Sequence, residues 1–268
     1  FGATDLKVDL TPLDMNIVNQ VLVGSPFQGA VDFGILANGR IDEGIEVMVE
    51  ASHRSTNLEI SHVSLEGTLV QGDEDIKVSL NGTLEPLLIS EVVARESLLS
   101  SLGVARGTVR IEGTTTNMSV RTDLVTGDGN FSLDTYLDVT APLSRYRVVG
   151  RGRNFDASEL IPQLPVGTII TGSMSLAGGR EGVGSVGLEG EVDFFGSQLG
   201  VLPVETVKLK VKASDSVLNF ESISAIVAGV SLTGSGKLAT VRDAVAQELH
   251  LSFESDNLEG LRPLWLCS

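Results

Sequence analysis

Hydrophobic and polar residues alternate one for one along most of this chain, the signature of strands with one greasy and one wet face. Ile45, Val47 and Val49 alternate with Glu46, Met48 and Glu50, and Val63 and Leu65 with Ser64 and Glu66; within these runs only Met48 breaks the rule. Ile76, Val78 and Leu80 sit beside Lys77, Ser79 and Asn81, and Phe131, Leu133 and Leu137 beside Ser132, Asp134 and Asp138. Farther on, Val186, Leu188, Val192 and Phe194 point away from Glu189, Glu191 and Asp193. Val207, Leu209 and Val211 do the same against Lys208, Lys210 and Lys212, and Val230, Leu232, Leu249, Leu251 and Phe253 complete the set. Shorter runs at Leu6 to Leu10, Val109 to Ile111 and Met174 to Leu176 bring the expectation to about a dozen strands.

Turn signals at Ala37-Asn38-Gly39, Gly127-Asp128-Gly129 and Gly178-Gly179 join these strands as hairpins. Where the phase slips, between Ile60 and Val63 and between Phe220 and Ile223, a β-bulge is expected. Two segments read as short helices. Thr11-Pro12 supplies an N-cap and a proline at the first helical position, with Leu13, Ile17 and Val21 following and Gly24 closing; Ser90 to Gly103 carries Val92, Leu99 and Leu102 on one side.

Degenerate internal repetition points to one unit used several times. Asp9-Leu10, Pro12 and Gly29-Ala30-Val31 parallel Asn154-Phe155, Pro162 and Gly172-Ser173-Met174, and Asn257-Leu258 with Pro263 starts the series again. Leu58, Ile60 and Val63-Ser64 parallel Leu218, Phe220 and Ile223-Ser224. The expected organisation is a first β repeat region at 1–150, a second at 151–256 and a truncated third beginning at 257–268. The fold class is all-β: an extended, strongly curved, mostly antiparallel sheet of degenerate repeats, an open groove or solenoid-like form, with two or three short helices.

Composition sharpens this reading. The 268 residues are 42% hydrophobic but only 4% aromatic, and 30 glycines punctuate the aliphatic mass. A net charge of −16 repels phosphate backbones, so no nucleic-acid partner is expected. One cysteine, Cys267, and scattered His53, His62 and His250 build neither an internal disulfide nor a zinc cage, so no metal and no cofactor is expected. The chain starts at Phe1 and lacks a long apolar run, so it reads as part of something longer, with any membrane anchor outside it.

Candidate chemistry is sparse. Gly182-Val183-Gly184-Ser185-Val186-Gly187 fits a dinucleotide fingerprint in letters, but a strand follows where a helix should open, so it reads as a hairpin loop. The histidines read as solvated strand residues, His53 and His250 at polar positions and His62 at a phase slip. No nucleophile–base pairing stands out, and an enzyme is not expected. Two basic stripes remain: Arg145, Arg147, Arg151 and Arg153 on one strand face, positioned to contact anionic headgroups, and Lys208, Lys210 and Lys212 on another.

The order of an Asn/Asp-Leu/Phe step, a short Pro-containing stretch, a Gly-initiated strand and a meander ending in Ser231 to Gly236 resembles the AsmA-like and TamB-like proteins. The resemblance implies a periplasmic segment of a protein anchored in the inner membrane. It implies a curved sheet whose apolar groove carries phospholipid acyl chains between the inner and outer membranes, or supports outer-membrane assembly with a barrel protein as partner. The apolar positions named above would line that groove. The alternative is a structural or protein-binding β-solenoid without lipid cargo. A transmembrane barrel would need aromatic girdles that Trp265, Tyr136 and Tyr146 do not supply.

Replacing His53, His62, His250 or Cys267 singly with alanine should leave the biological role intact. Growth complementation, with protein abundance measured alongside, checks this; full loss of function in a folded variant would restore an enzyme to contention.

Overall fold

A computed structural model describes residues 4–14, 30–40, 42–54, 60–73, 75–88, 103–127, 129–140, 143–181, 186–214, 217–239 and 247–255. The chain forms two compact units, one of Phe1–Thr126 with Glu159–Gln163 and one of Gly127–Ser158 with Leu164–Ser268. The first holds β1 (Thr4–Asp14), β2 (Ala30–Arg40), β3 (Gly44–Arg54), β4 (Ile60–Gln71), β5 (Ile76–Leu88), β6 (Val104–Thr114) and β7 (Asn117–Thr126). The second holds β8 (Gly129–Asp138), β9 (Leu143–Asp156), β10 (Ile169–Glu181), β11 (Val186–Leu199), β12 (Leu202–Ser214), β13 (Val217–Val227), β14 (Val230–Ala239) and β15 (Gln247–Glu254). One short helix, α1 (Ala157–Leu160), follows β9.

Within each unit the strands are ordered as in the sequence and pair antiparallel, as hairpin connections require. Neither unit's first and last strands bridge to one another among the described residues, and close packing is confined to sheet neighbours. The sheet is therefore one layer thick in each unit. The antiparallel all-β architecture is the one the alternation predicts, with fifteen strands rather than a dozen. Strand β9 runs without interruption through the 150/151 repeat boundary.

A one-layer sheet buries little outright. Among the described residues the buried apolar side chains are few, and in the second unit they are Phe155 and Ala157 at the end of β9 and the start of α1, and Leu202, Val204, Ala225, Ala228 and Val230 along β12, β13 and the turn into β14. The Ala157 N–H donates to the Thr168 carbonyl at 2.8 Å, and the Thr168 hydroxyl donates to the Pro165 carbonyl at 2.6 Å, which ties this turn down. In the first unit the Gly103 N–H donates to the Leu160 carbonyl at 2.7 Å, with Arg106 near Glu159 at 3.7 Å.

Bulges re-aim the strands on both sides of β10. Strands β9 and β11 each carry one extra residue opposite the Ile169–Gly172 stretch, with Asn154 at φ 49° and Gly196 at φ 54°. Side chains replace the interrupted ladder: the Asn154 N–H donates to the Thr171 hydroxyl at 3.1 Å, and the Thr171 N–H to the Ser197 hydroxyl at 3.0 Å. The result places Phe155 on the same face as Phe131, their ring centroids 5.3 Å apart.

Several local expectations are corrected. The bulge between Phe220 and Ile223 is present, but β3 and β4 pair without a shift from Arg54↔Ile60 to Ala51↔Val63, because small Ser61 fits the inward position. Thr11-Pro12 opens no helix: both lie in β1, in an irregularity between Leu10 and Leu13, where a proline on a strand paired on one side displaces no ladder donor. The remainder of that expected helix, residues 90–102 of the one expected over Ser90 to Gly103, and residues 257–268 with Cys267 lie outside the described residues. Ala37-Asn38-Gly39 belongs to β2, with the turn displaced to Asp42 and Glu43, and Gly178-Gly179 lies inside β10. The Gly182–Gly187 stretch connects antiparallel β10 to β11, with a strand after it as expected.

The strand glycines explain the last of these corrections. A Cβ on Gly172, at φ 144°, would lie 2.2 Å from the Asp193 carbonyl oxygen, whereas one on Gly187 would meet nothing within 4 Å. Gly172→Ala should therefore cost about 1–3 kcal/mol by urea denaturation while Gly187→Ala stays near neutral. Equal midpoints for the two variants would refute the steric account.

Candidate functional site

Residues opposite one another in a ladder share a face, so the pairing registers map each face directly. In the first unit Val8, Ile35, Val49 and Leu65 form one such row, and Ile45, Leu69 and Val78 another. Val47 faces Gly67, which faces Leu80, which faces Ile111 and then Val120. Val63 pairs with Leu84, and Ile76 stands two residues before Val78 in the same phase. None of these positions carries a charge, and their side chains are half-buried except where noted below.

The second unit repeats the pattern. Leu133, Gly150, Met174, Val192, Leu209, Ile223, Gly234 and Leu251 lie in one register line from β8 to β15. A parallel line runs Phe131, Gly152, Gly172, Phe194, Val207, Ala225, Leu232, Phe253. Leu137, Leu188, Val211, Val230 and Leu249 fall in the same phase, as does Val186, whose side chain lies outside the described residues. Every apolar position singled out in the sequence thus shares a face with the others of its unit. Exposure rises at β15, where Leu249, Leu251 and Phe253 are 42%, 41% and 69% exposed.

Sequence reasoning left further members of this face unassigned, although it counts the runs Val109 to Ile111 and Met174 to Leu176 as strands. Phe33, Ile35 and Ala37 on β2, Val109 and Ile111 on β6, and Met174 and Leu176 on β10 belong to it, and their alternation was the available signal. It also missed the inward glycines, taken as turn markers. Gly67 lies between Val47 and Leu80, Gly82 between Leu65 and Val109, Gly190 between Leu176 and Val211, and Gly234 between Ile223 and Leu251. The neighbours fill the room a side chain would take: a Cβ on Gly82 would be 2.5 Å from Leu65 Cδ2, and one on Gly150 would be 2.8 Å from Phe131 Cζ. Large side chains lie sideways across the glycines, which tightens an otherwise uncovered surface.

His53 is also corrected. It stands in phase with Val49 and Ala51, hence on the apolar face opposite Ser61, and its Nδ1 is buried with no partner. His62 and His250 are on the polar face, His250 3.3 Å from Glu248. Met48 is explained by its register partner Leu36, which makes it half of an apolar pair on the polar face.

The polar faces are organised by ion pairs. Lys208, Lys210 and Lys212 stand opposite Asp193, Glu191 and Glu189, with N···O separations of 3.7, 2.7 and 3.5 Å, and Lys212 also reaches Glu221 at 2.8 Å. The hydrogen bond with Glu191, then its charge, holds the Lys210 ammonium above its ordinary value of 10.5; Glu221 and then Glu189 do the same for Lys212. Shorter-range pairs Lys7–Asp9 and Arg121–Asp123 lie along single strands, and Arg40–Asp42 joins the end of β2 to the turn after it. A shallow depression of about 560 Å³ on the polar face of the second unit is lined by Arg151, Ser173, Ser175, Glu191, Lys208 and Lys210 among others.

Among the described residues no three His, Cys, Asp or Glu side chains gather as a metal site, and no helix is long and apolar enough to cross a membrane. No protein-family model matches the chain, and neither does any curated protein or solved structure.

A raised lysine pKa sets the sign of one prediction. The Lys210–Glu191 pair stabilises the fold fully below pH 10.5, and that contribution is lost as pH climbs through the raised folded value. Wild type should melt slightly above Lys210→Met at pH 8, with the gap closing as pH climbs past the ordinary lysine range and narrowing in high salt. An unchanged gap would remove the pair from the account of stability.

Proposed function

We propose that this chain is a segment of an AsmA/TamB-like envelope protein whose apolar sheet face carries phospholipid acyl chains. The observation behind this reading is the face itself: aliphatic and aromatic positions in unbroken register lines, on a sheet one layer thick, with no second layer packed over them among the described residues. A soluble β-sandwich meets the same pattern by stacking a second sheet on it. Without that sheet, the surface gains by covering itself with something apolar, and each acyl methylene removed from water contributes about 0.8 kcal/mol.

The chemistry of the face suits transport rather than tight capture. Half-buried aliphatic side chains offer many equivalent contacts and no fixed polar anchor, so an acyl chain is held without one preferred stop. The polar face keeps the same strands in water. In this reading the segment works in the periplasm, held to the inner membrane by parts of the protein outside these residues, with an outer-membrane barrel as a candidate partner. It binds and conducts lipid without performing catalysis.

Neighbouring residues on β12 separate the two faces, since Leu209 lies in the apolar line and Lys210 in the ion-pair ladder. A photocrosslinking residue at 209 should yield lipid adducts and one at 210 few. Leu209→Glu should abolish transport by placing a charge in the acyl path, forfeiting roughly 1.5–3 kcal/mol of side-chain burial as well. Equal labelling at both positions would defeat the groove assignment, and protein adducts alone at 209 would favour a protein-binding sheet.

A further inference from the structure

The two basic stripes prove unlike once the strands are paired. The lysines of β12 face three carboxylates on β11 and one on β13, and all three are in ion pairs. On β8 the arginines of β9 stand opposite Asp138, Tyr136, Ser132 and Asn130, with Asp134 diagonal to them across from Val149, and on β10 Arg151, Arg147 and Arg145 meet Ser173, Ala177 and Gly179. Arg151 is 3.9 Å from Asp134, and Arg145 lowers the pKa of Asp138 behind that carboxylate's hydrogen bonds to Thr140. Arg147 and Arg153 have no ion pair among the described residues. In a chain with 35 acidic and 19 basic residues, cations without partners are conspicuous.

The row also stands apart from the apolar face. Arg147 and Arg151 alternate with Val148 and Gly150, whose phase is that of Leu176 and Met174 on the opposite side of the sheet. Any anion these arginines contact therefore lies on the side of the sheet opposite the apolar face.

We propose that the Arg145–Arg153 row on the polar face of β9 is a separate binding strip for phosphate-type oxyanions. The guanidinium fork matches two oxygens of a phosphate at once, whereas an ammonium acts as a point charge, and the chain places Arg on the row that is only half neutralised and Lys on the fully paired one. Arg145 with Arg147, and Arg151 with Arg153, form two pairs spaced roughly 7 Å along the strand, in a row roughly 26 Å long. Ser173 and Ser175 on β10 border it and supply hydroxyl donors. The net charge of −16 does not cancel the row, since distant carboxylates are screened beyond about 8 Å at physiological salt. The strip goes beyond the acyl-carrying face and holds whether or not that face carries lipid.

Flotation with phosphatidylcholine vesicles, with and without about a third phosphatidylglycerol, tests the strip. Binding should require the anionic lipid, fall steeply with salt, and weaken at least about tenfold in Arg147→Gln/Arg153→Gln. The matched Lys208→Gln/Lys210→Gln variant should bind as wild type does, and both should fold, their substitutions being exposed. Displacement by millimolar inorganic phosphate would identify a soluble phosphate as sufficient ligand; resistance to it would identify the headgroup array. Undiminished binding in the arginine variant, an equal loss in the lysine variant, or no anion-dependent binding would overturn the proposal.

Discussion

A sheet with no second layer must still keep its large apolar side chains from standing free in water, and here the inward glycines make that possible. At Gly82, Gly150, Gly152, Gly190 and Gly234 the gap is crossed by a leucine, valine or phenylalanine from an adjoining strand, as Phe131 does over Gly150 and Gly152. Packing therefore runs along the sheet surface instead of between two sheets. It is why most residues of the apolar face are half-buried although no second sheet is stacked on them among the described residues, and why so much Gly accompanies so little aromatic content. Filling those gaps with side chains would force the neighbours upright, raising exposed area and roughening the surface proposed to carry acyl chains.

The two-residue period made the faces legible, and with them the fold class and the phase of every apolar position named. What the letters concealed were the places where a small or unusual residue occupies an ordinary strand site. Ser61 looks like a slip of phase but sits inward without disturbing the ladder. Thr11-Pro12 imitates a helix start, yet β1 is paired on one side only, so the missing N–H of proline costs no sheet hydrogen bond. His53 shares the parity of Val49, and its polarity outweighed its position in the reading of the sequence. Glycine is ambiguous in principle, since the absence of a side chain suits a turn and a crowded strand equally.

Charge is placed with the same economy. Pairs across β11, β12 and β13 tie one lysine row to its carboxylates, which favours one register over slips that would set like charges opposite each other. Sequence shows both basic rows equally well. Only the pairing reveals that one is fully matched on its neighbours and the other only in part, because cross-strand partners are set by register rather than by distance along the chain.

Chain-order pairing has a kinetic meaning as well. Within each unit every strand bonds to its neighbours in sequence, so each closing event spans only the residues between consecutive strands and the entropy of closure is small for a β protein. Such a sheet is able to zip up from whichever end appears first, every finished strand serving as template for the next. A polypeptide that reaches its working compartment by threading through a narrow pore, N-terminus leading, would assemble as it emerges and keep no long unpaired stretch waiting for a distant mate.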